Sequence, residues 1–342
     1  MTTTDQFGRP LGALRISVTD RCNLRCRYCM PAASYRWLPG ESLLSFNEIE
    51  RVARAFAELG VRKFRLTGGE PLLRPELASL IARLAAIEGI TDLALTTNGT
   101  RLAPLAGELK RAGLHRLTVS LDTLEPDAMR ALTRHGRPAD VFAGLDAAAA
   151  AGFTGTKLNT VVMRGVNDRL LVDIMRVASD RHIEPRFIEY MDVGGATDWR
   201  ADLVVSSREI VGILAAAFGG ARPVTAGCDP HAPATRWRLG NGMRFGIVAS
   251  TTTPFCRDCD RARLTADGTW FTCLYAPAGV DLRQVLRSDA DHAELVRRIR
   301  TGWQQRRDRG AEDRLTAPGR GALVTLGRLR EDPHLEMHVR GG

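Results

Sequence analysis

The chain predicts an α/β protein on a parallel sheet, followed by a smaller, less regular α+β unit. Three observations carry this. Between residues 13 and about 192, six short apolar runs alternate with helix-like stretches, the pattern of strands joined by crossover helices. After about residue 193 the runs shorten and glycines and polar residues break them up. The length, 342 residues, suffices for one large unit over 1–192 and a smaller one over 193–342. Pattern alone does not separate an open sheet from a partial barrel.

The first strand spans 13–19 (ALRISVT). A helix follows over about 45–59, opened by Ser45 with Glu48 three residues on, the spacing of a capping box. Strands at 61–66, 91–97, 115–121, 156–163 and 184–190 alternate with helices near 75–87, 102–112, 138–151 and 168–182. Beyond Gly194-Gly195 come a helix near 206–218, strand-like runs at 234–239, 243–249 and 261–265, and a helix near 291–305. The remainder, rich in Arg and Gly, reads as a partly extended tail ending in Gly341-Gly342.

Hydrophobic residues make up 44% and charged residues 25% of the chain, as in a soluble globular protein. No apolar run is long enough to cross a membrane, and the polar start, Met1 to Pro10, lacks the apolar core of a signal peptide. A reducing cytoplasm is the expectation. The net charge of +9 fits an anionic ligand as well as an arginine-rich surface. No basic block interleaved with aromatics appears, which counts against nucleic acid. Only Lys63, Lys110 and Lys157 are lysines among 48 cations; a lysine kept in so arginine-biased a chain suits a compact point charge on phosphate.

Six of the seven cysteines fall into two clusters. Cys22, Cys26 and Cys29 form a C-x3-C-x2-C run directly after the first strand, where ligands of such sheets gather. The spacing also suits one face of a helix, and zinc would need a fourth ligand that is missing nearby. Cys256-x2-Cys259 is followed, after thirteen intervening residues, by Cys273. From local spacing, zinc and iron–sulfur stand level there, since Cys228 and His231 are available as further ligands. Three thiolates on a four-iron cluster would leave one iron open for a small molecule. Arg261 and Arg263, spaced by two, share one face of a strand beside this cluster and suit an anionic or purine ligand.

The first cluster, with Tyr28 before its last cysteine, resembles the radical S-adenosylmethionine (SAM) superfamily, and Gly68-Gly69-Glu70-Pro71 after the second strand matches that superfamily's SAM-binding turn. The resemblance implies a [4Fe-4S] cluster, SAM at its open iron, and contacts to SAM from Tyr28, Gly69, Glu70, Ser120 and Met191. It also implies a partial (β/α)6 TIM-like barrel of the radical SAM type. Both cysteine clusters together, with FRLTGGEPLLR at 64–74, TTNG at 96–99, RFIEYMDVG at 186–194 and CRDCDRARLTADG at 256–268, resemble the GTP 3′,8-cyclase family of molybdenum cofactor biosynthesis over nearly the whole chain.

That resemblance implies a second [4Fe-4S] cluster on Cys256, Cys259 and Cys273, carried by the smaller C-terminal α+β domain. It implies GTP contacts from Arg15, Lys63, Arg65, Thr96, Lys157 and Arg186, joined by Arg261, Ala262 and Arg263. Arg261, Arg263, Gly341 and Gly342 would serve catalysis, the two glycines by reaching into the site, where the lack of a side chain suits a narrow channel. A reductant, a downstream cyclic pyranopterin monophosphate synthase and a homodimer are the implied partners. The competing readings are a peptide-modifying radical SAM enzyme and a zinc-bearing nucleic-acid-binding protein.

Overall fold

The computed structural model describes residues 2–32 and 34–341. Six strands form in chain order: β1 (Ala13–Ser17), β2 (Lys63–Thr67), β3 (Asp92–Thr97), β4 (Arg116–Ser120), β5 (Lys157–Val162) and β6 (Glu184–Glu189). Each is parallel to the next. The connecting helices are α1 (Phe46–Glu58), α2 (Leu77–Ala85), α3 (Ala106–Arg111), α4 (Pro126–Thr133), α5 (Pro138–Ala150) and α6 (Leu171–Asp180). The helix α4 has no counterpart in the apolar pattern; its signal is Pro126 in the first turn, where a missing N–H costs nothing.

The rest of the chain extends this sheet at both edges. After α7 (Ser207–Phe218) come β7 (Ala221–Val224), β8 (Thr235–Leu239) and β9 (Arg244–Val248), and β9 lies parallel on β6. Next, β10 (Arg261–Leu264) lies parallel on β1, continued by β11 (Thr269–Phe271) and β12 (Val280–Asp281). The sheet therefore runs β12-β11-β10-β1-β2-β3-β4-β5-β6-β9-β8-β7 and is not closed into a full barrel. The chain ends through α8 (Arg283–Leu286), α9 (His292–Gln304), α10 (Gly310–Asp313) and α11 (Leu326–Glu331). The tail expected to be partly extended carries short helical turns between irregular stretches. Their caps, Thr325 Oγ1 accepting Arg328 N and Asp332 Oδ1 accepting His334 N, act over too few residues to leave an apolar period.

Strand alternation divides the sheet into two faces. Leu14 and Ile16, Phe64 and Leu66, Leu93 and Leu95, Leu117 and Val119 point outward into the main core. The helices answer at helical spacing: Ile49, Val52, Ala53 and Phe56 of α1 are all buried. Ser45 Oγ accepts from Glu48 N at 3.2 Å while Ser45 N donates to Glu48 Oε2 at 2.7 Å, so the expected capping box forms. Trp270 of β11 packs edge-on to Phe56 at 5.8 Å, fully buried against Gly302 of α9. Such a pair contributes about 0.5–1.5 kcal/mol beyond area burial, and it ties the C-terminal segment to the first helix.

Candidate active site

The inward face of the sheet lines a cavity of about 590 Å³. The wall takes alternate residues from every parallel strand, for example Arg15 on β1, Arg65 on β2, Thr96 on β3, Ser120 on β4, Asn159 on β5 and Arg186 on β6. One cavity shared by eight parallel strands requires a curved sheet, so the architecture is a partial barrel.

The first triad sits on the loop after β1. Cys29 N and Met30 N both donate to the Cys26 carbonyl, at 3.0 and 2.7 Å, which folds the loop into a turn. Cys22, Cys26 and Cys29 all line the cavity. Cys22 Sγ accepts from Leu24 N at 3.4 Å and faces Asn98 Nδ2 at 3.9 Å. Burial pushes the Cys22 thiol up to about 11 and raises Cys26 and Cys29 as well, Cys22 and Cys29 adding to the shift of Cys26 and Cys22 to that of Cys29. Gly195 presses on this loop so closely that a Cβ there would overlap the Cys29 carbonyl.

The glycine-rich turn closes over the same loop. Gly69 N donates to Thr19 O at 2.9 Å and Glu70 N to Arg21 O at 2.8 Å; a Cβ on Gly69 would overlap Arg21 O. Gly69 faces the cavity, but the Glu70 carboxylate does not. It is fully buried and accepts from Leu72 N, Thr97 Oγ1 and Asn98 N, at 3.0, 2.7 and 2.7 Å, so it braces β3. Burial raises its carboxyl to about 6 against the pull of those donors. Tyr28, Ser120 and Met191 all reach the cavity, and Tyr28 Oη donates to Asp122 Oδ2 at 2.7 Å.

The second triad stands on another part of the same wall. Cys256 and Cys259 flank a tight turn closed by Cys259 N on Cys256 O at 3.4 Å, and Cys273 follows β11. Cys256 faces the backbone amides of Ala311 and Glu312, Tyr275 N donates to Cys273 Sγ at 3.4 Å, and Arg261 approaches Cys259 Sγ at 3.8 Å. Burial opposes ionisation of Cys259, but Arg261 and Arg306 outweigh it and draw the thiol to about 7. All seven cysteines are free thiols, and among the described residues no three His, Cys, Asp or Glu side chains converge as ligands of one ion. Two triads facing one cavity, each with backbone N–H groups aimed at sulfur, suit clusters whose metal charge is spread over several irons.

Between the triads lies a cationic wall. Arg65 donates to Thr96 Oγ1 and Thr118 Oγ1, each at 3.1 Å, and burial lowers its guanidinium to about 10. Arg15 is lowered by burial and by Arg263, Arg65 and Arg261. Burial and the neighbouring Arg186 and Arg116 bring Lys157 down to about 7. Lys63 pairs with Asp229 on the loop before β8, and Arg186 with Glu184 at 3.2 Å. Arg261 and Arg263 both point inward, whereas Ala262 between them is buried in the outer core. The Nε of Arg261 is buried without a hydrogen-bond partner. So many buried cations are costly unless an anion joins them.

The tail returns to this site. Arg263 Nη1 donates to the carbonyls of Arg340 and Gly341, at 3.2 and 3.1 Å. Gly341 has a positive φ of 65° and lies where a Cβ would overlap Thr67 at the end of β2. Gly342 lies outside the described residues. Cys228 lines the cavity and donates to Val224 O at 3.1 Å. Among the lining residues that the sequence did not single out are Arg116 and Asp229. Arg116 was within reach, because it lies two and four residues before Thr118 and Ser120 on the same strand face. Asp229 was not, because its place depends on how a loop folds over the cavity.

Residues 16–178 match the family model described as Radical SAM superfamily, and 183–312 match Molybdenum Cofactor Synthesis C. The chain is 50% identical over 343 residues to GTP 3′,8-cyclase 3 of Mycobacterium bovis, covering 99% of this chain and 90% of that protein. It is 50% identical to GTP 3′,8-cyclase 1 of Mycobacterium tuberculosis, covering 99% and 95%, and 43% identical to GTP 3′,8-cyclase of Aquifex aeolicus, covering 90% and 93%. Streptococcus suis SuiB bound to its precursor peptide SuiA shares the fold, with a TM-score of 0.59 at 16% identity over 86% of this chain and 68% of that one. The chain belongs to the GTP 3′,8-cyclase family of the radical SAM superfamily.

Proposed function

From that membership we propose that the protein cyclises GTP to (8S)-3′,8-cyclo-7,8-dihydroguanosine 5′-triphosphate, the first step of molybdenum cofactor biosynthesis. The observation that carries the proposal is the single cavity in which two cysteine triads flank a wall of buried cations. Cys22, Cys26 and Cys29 would hold one [4Fe-4S] cluster, and Cys256, Cys259 and Cys273 a second. Bound there, the first cluster with SAM would supply the radical chemistry for hydrogen abstraction, and the second would offer a binding position for the guanine.

The protein's part is placement and exclusion of water. Gly69 and the backbone around it receive the amino-acid end of SAM, with Tyr28, Ser120 and Met191 along its remaining length. Lys63, Arg65, Lys157 and Arg186 take the triphosphate, whose charge relieves their mutual repulsion. Arg15 and Thr96 complete that wall. Arg261 and Arg263 hold the nucleoside against the second cluster, and Arg263 also holds the tail through its last carbonyls. Glu70 acts through the wall it braces, and Ala262 sets the alternation that turns both arginines inward. Residues 1–192 form the barrel unit and 193–342 the unit carrying the second cluster and the tail. The enzyme works as a cytoplasmic homodimer, takes electrons from a low-potential reductant, and passes its product to a cyclic pyranopterin monophosphate synthase. No helix among the described residues is long and apolar enough to cross a membrane.

The test uses anaerobically reconstituted protein with SAM, dithionite and GTP deuterated at C3′. Deuterium in the released 5′-deoxyadenosine supports the proposal. Release without deuterium moves the attack to another carbon or substrate, and no SAM cleavage in protein holding both clusters overturns the reading.

A further inference from the structure

Behind the second triad lies a buried ionic clasp that the proposed reaction does not use. Asp5, near the start of the chain, is fully buried. Its carboxylate accepts from Arg9 Nε at 2.6 Å and from the backbone amides of Phe7 and Arg9, each at 2.9 Å. Arg306, just after α9, approaches the same carboxylate at 3.4 Å, with its side chain only 1% exposed. Both guanidiniums then reach to the cysteine loop: Arg9 Nη1 donates to Cys256 O and Arg306 Nη1 to Cys259 O, each at 2.8 Å. Trp303 Nε1 closes the arrangement on Arg9 O at 3.2 Å, and Arg306 stacks 4.4 Å over the Trp303 ring.

The two triads differ in the balance of charge around them, although Arg25 also acts on Cys22, the partly exposed Glu312 and Asp308 act on Cys256 and Cys273, and buried Asp260 follows Cys259. Buried carboxyls stand near the first: Glu70 beside Cys22, Asp122 beside Cys26 and Glu336 beside Cys29. Guanidiniums stand near the second: Arg9 and Arg306 on the loop carbonyls and Arg261 at Cys259. Asp5 is the one fully buried acid in the clasp; Asp308, 3.7 Å from Arg306 Nε, is partly open to solvent. Arg9 Nη2 and Arg306 Nε are buried without hydrogen-bond partners. Buried positive charge in excess is expensive, and a thiolate-ligated cluster is the negative group that compensates it. Net charge and hydrogen bonds around a cluster set its reduction potential.

We propose that the Arg9–Asp5–Arg306 clasp positions the Cys256–Cys259 loop and holds the second cluster at a higher reduction potential than the first. The inference rests on the reading that the second triad carries a [4Fe-4S] cluster. Arg306 and Arg9 are positioning residues, acting through the cysteines they hold.

The test is a reductive titration followed by electron paramagnetic resonance on the anaerobically reconstituted full chain. Variants lacking Cys22, Cys26 and Cys29 together assign the second cluster's signal. The wild-type second cluster is expected to reduce first. Arg306→Gln should shift its midpoint down and Asp5→Asn should shift it up, with Arg306→Lys near wild type and the first cluster unmoved throughout. A role confined to folding would move neither midpoint, or move both the same way. Should Arg306→Gln not fold, Asp5→Asn and Arg306→Lys decide. A second cluster that reduces after the first, or an Asp5→Asn shift that is absent or downward, overturns the inference. A wild-type chain with about four irons instead of about eight overturns the reading beneath it as well.

Discussion

Lys157 offers a direct test of the cationic wall as a phosphate site. It is 7% exposed at the start of β5, and burial with Arg186 and Arg116 lowers its ammonium from 10.5 to about 7. A triphosphate favours the charged form and returns the lysine toward its ordinary value. The free site's pKa is thus the lower of the two, so binding takes up a proton and weakens as pH rises through 7. At pH 6 about nine-tenths of the free lysines are charged and at pH 8 about one-tenth, so affinity should fall about tenfold, or about 1.4 kcal/mol, between them. The assay is isothermal titration of GTP into anaerobic, SAM-free protein at pH 6, 7 and 8, in buffers of different ionisation enthalpy. Lys157→Met supplies the control, because GTP's own phosphate titration persists in it. The wild-type slope should exceed that control by about one decade over the two pH units, with proton uptake near pH 7. Equal slopes would refute both the depressed lysine and its place at the phosphates.

Gly195→Ala drives a methyl into the Cys29 carbonyl and should cost the protein about half its iron, read by iron assay, with the second triad still loaded. Gly302→Ala gains about 1 kcal/mol of helix propensity but sets a Cβ 2.6 Å from the buried Trp270 ring; overpacking of about 1–3 kcal/mol should win and lower the urea midpoint. Gly341→Ala strains a positive φ and strikes Thr67, so GTP should still bind while cyclisation falls by at least about tenfold, measured by product formation. His334 and Asp267 pair at 2.8 Å under the tail, raising the imidazole above 6.5 and lowering the carboxyl below 3.8. The histidine's contribution is full below its unfolded value and lost as pH rises through the folded one. The carboxylate's is full above its unfolded value and lost as pH falls through the folded one. Proteolysis of the tail should therefore quicken on the alkaline side, and His334→Gln should flatten that dependence.

Much of the site was legible because its chemistry is local. Cys22, Cys26 and Cys29 lie within eight positions, and so few residues on one loop must face one space. Arg261 and Arg263 were assigned to one face by strand alternation, and the register of β10 on β1 keeps both inward. Glu70 shows where this reasoning stops. Its motif was plain, but its carboxylate turns from the cavity to Leu72, Thr97 and Asn98, a choice set by β3 alongside.

By itself, the sequence determined the alternation of strands and helices, the two cysteine triads and the family, because period, spacing and short motifs are properties of neighbouring residues. Only the tertiary structure decided that distant segments share one wall, through β10 pairing with β1 and β9 with β6. It alone brought Asp5 to Arg306, Asp229 to Lys63 and the tail to Arg263. Such contacts join distant parts of the chain, and their partners are chosen by packing and charge in three dimensions, which leaves no periodic trace in the sequence.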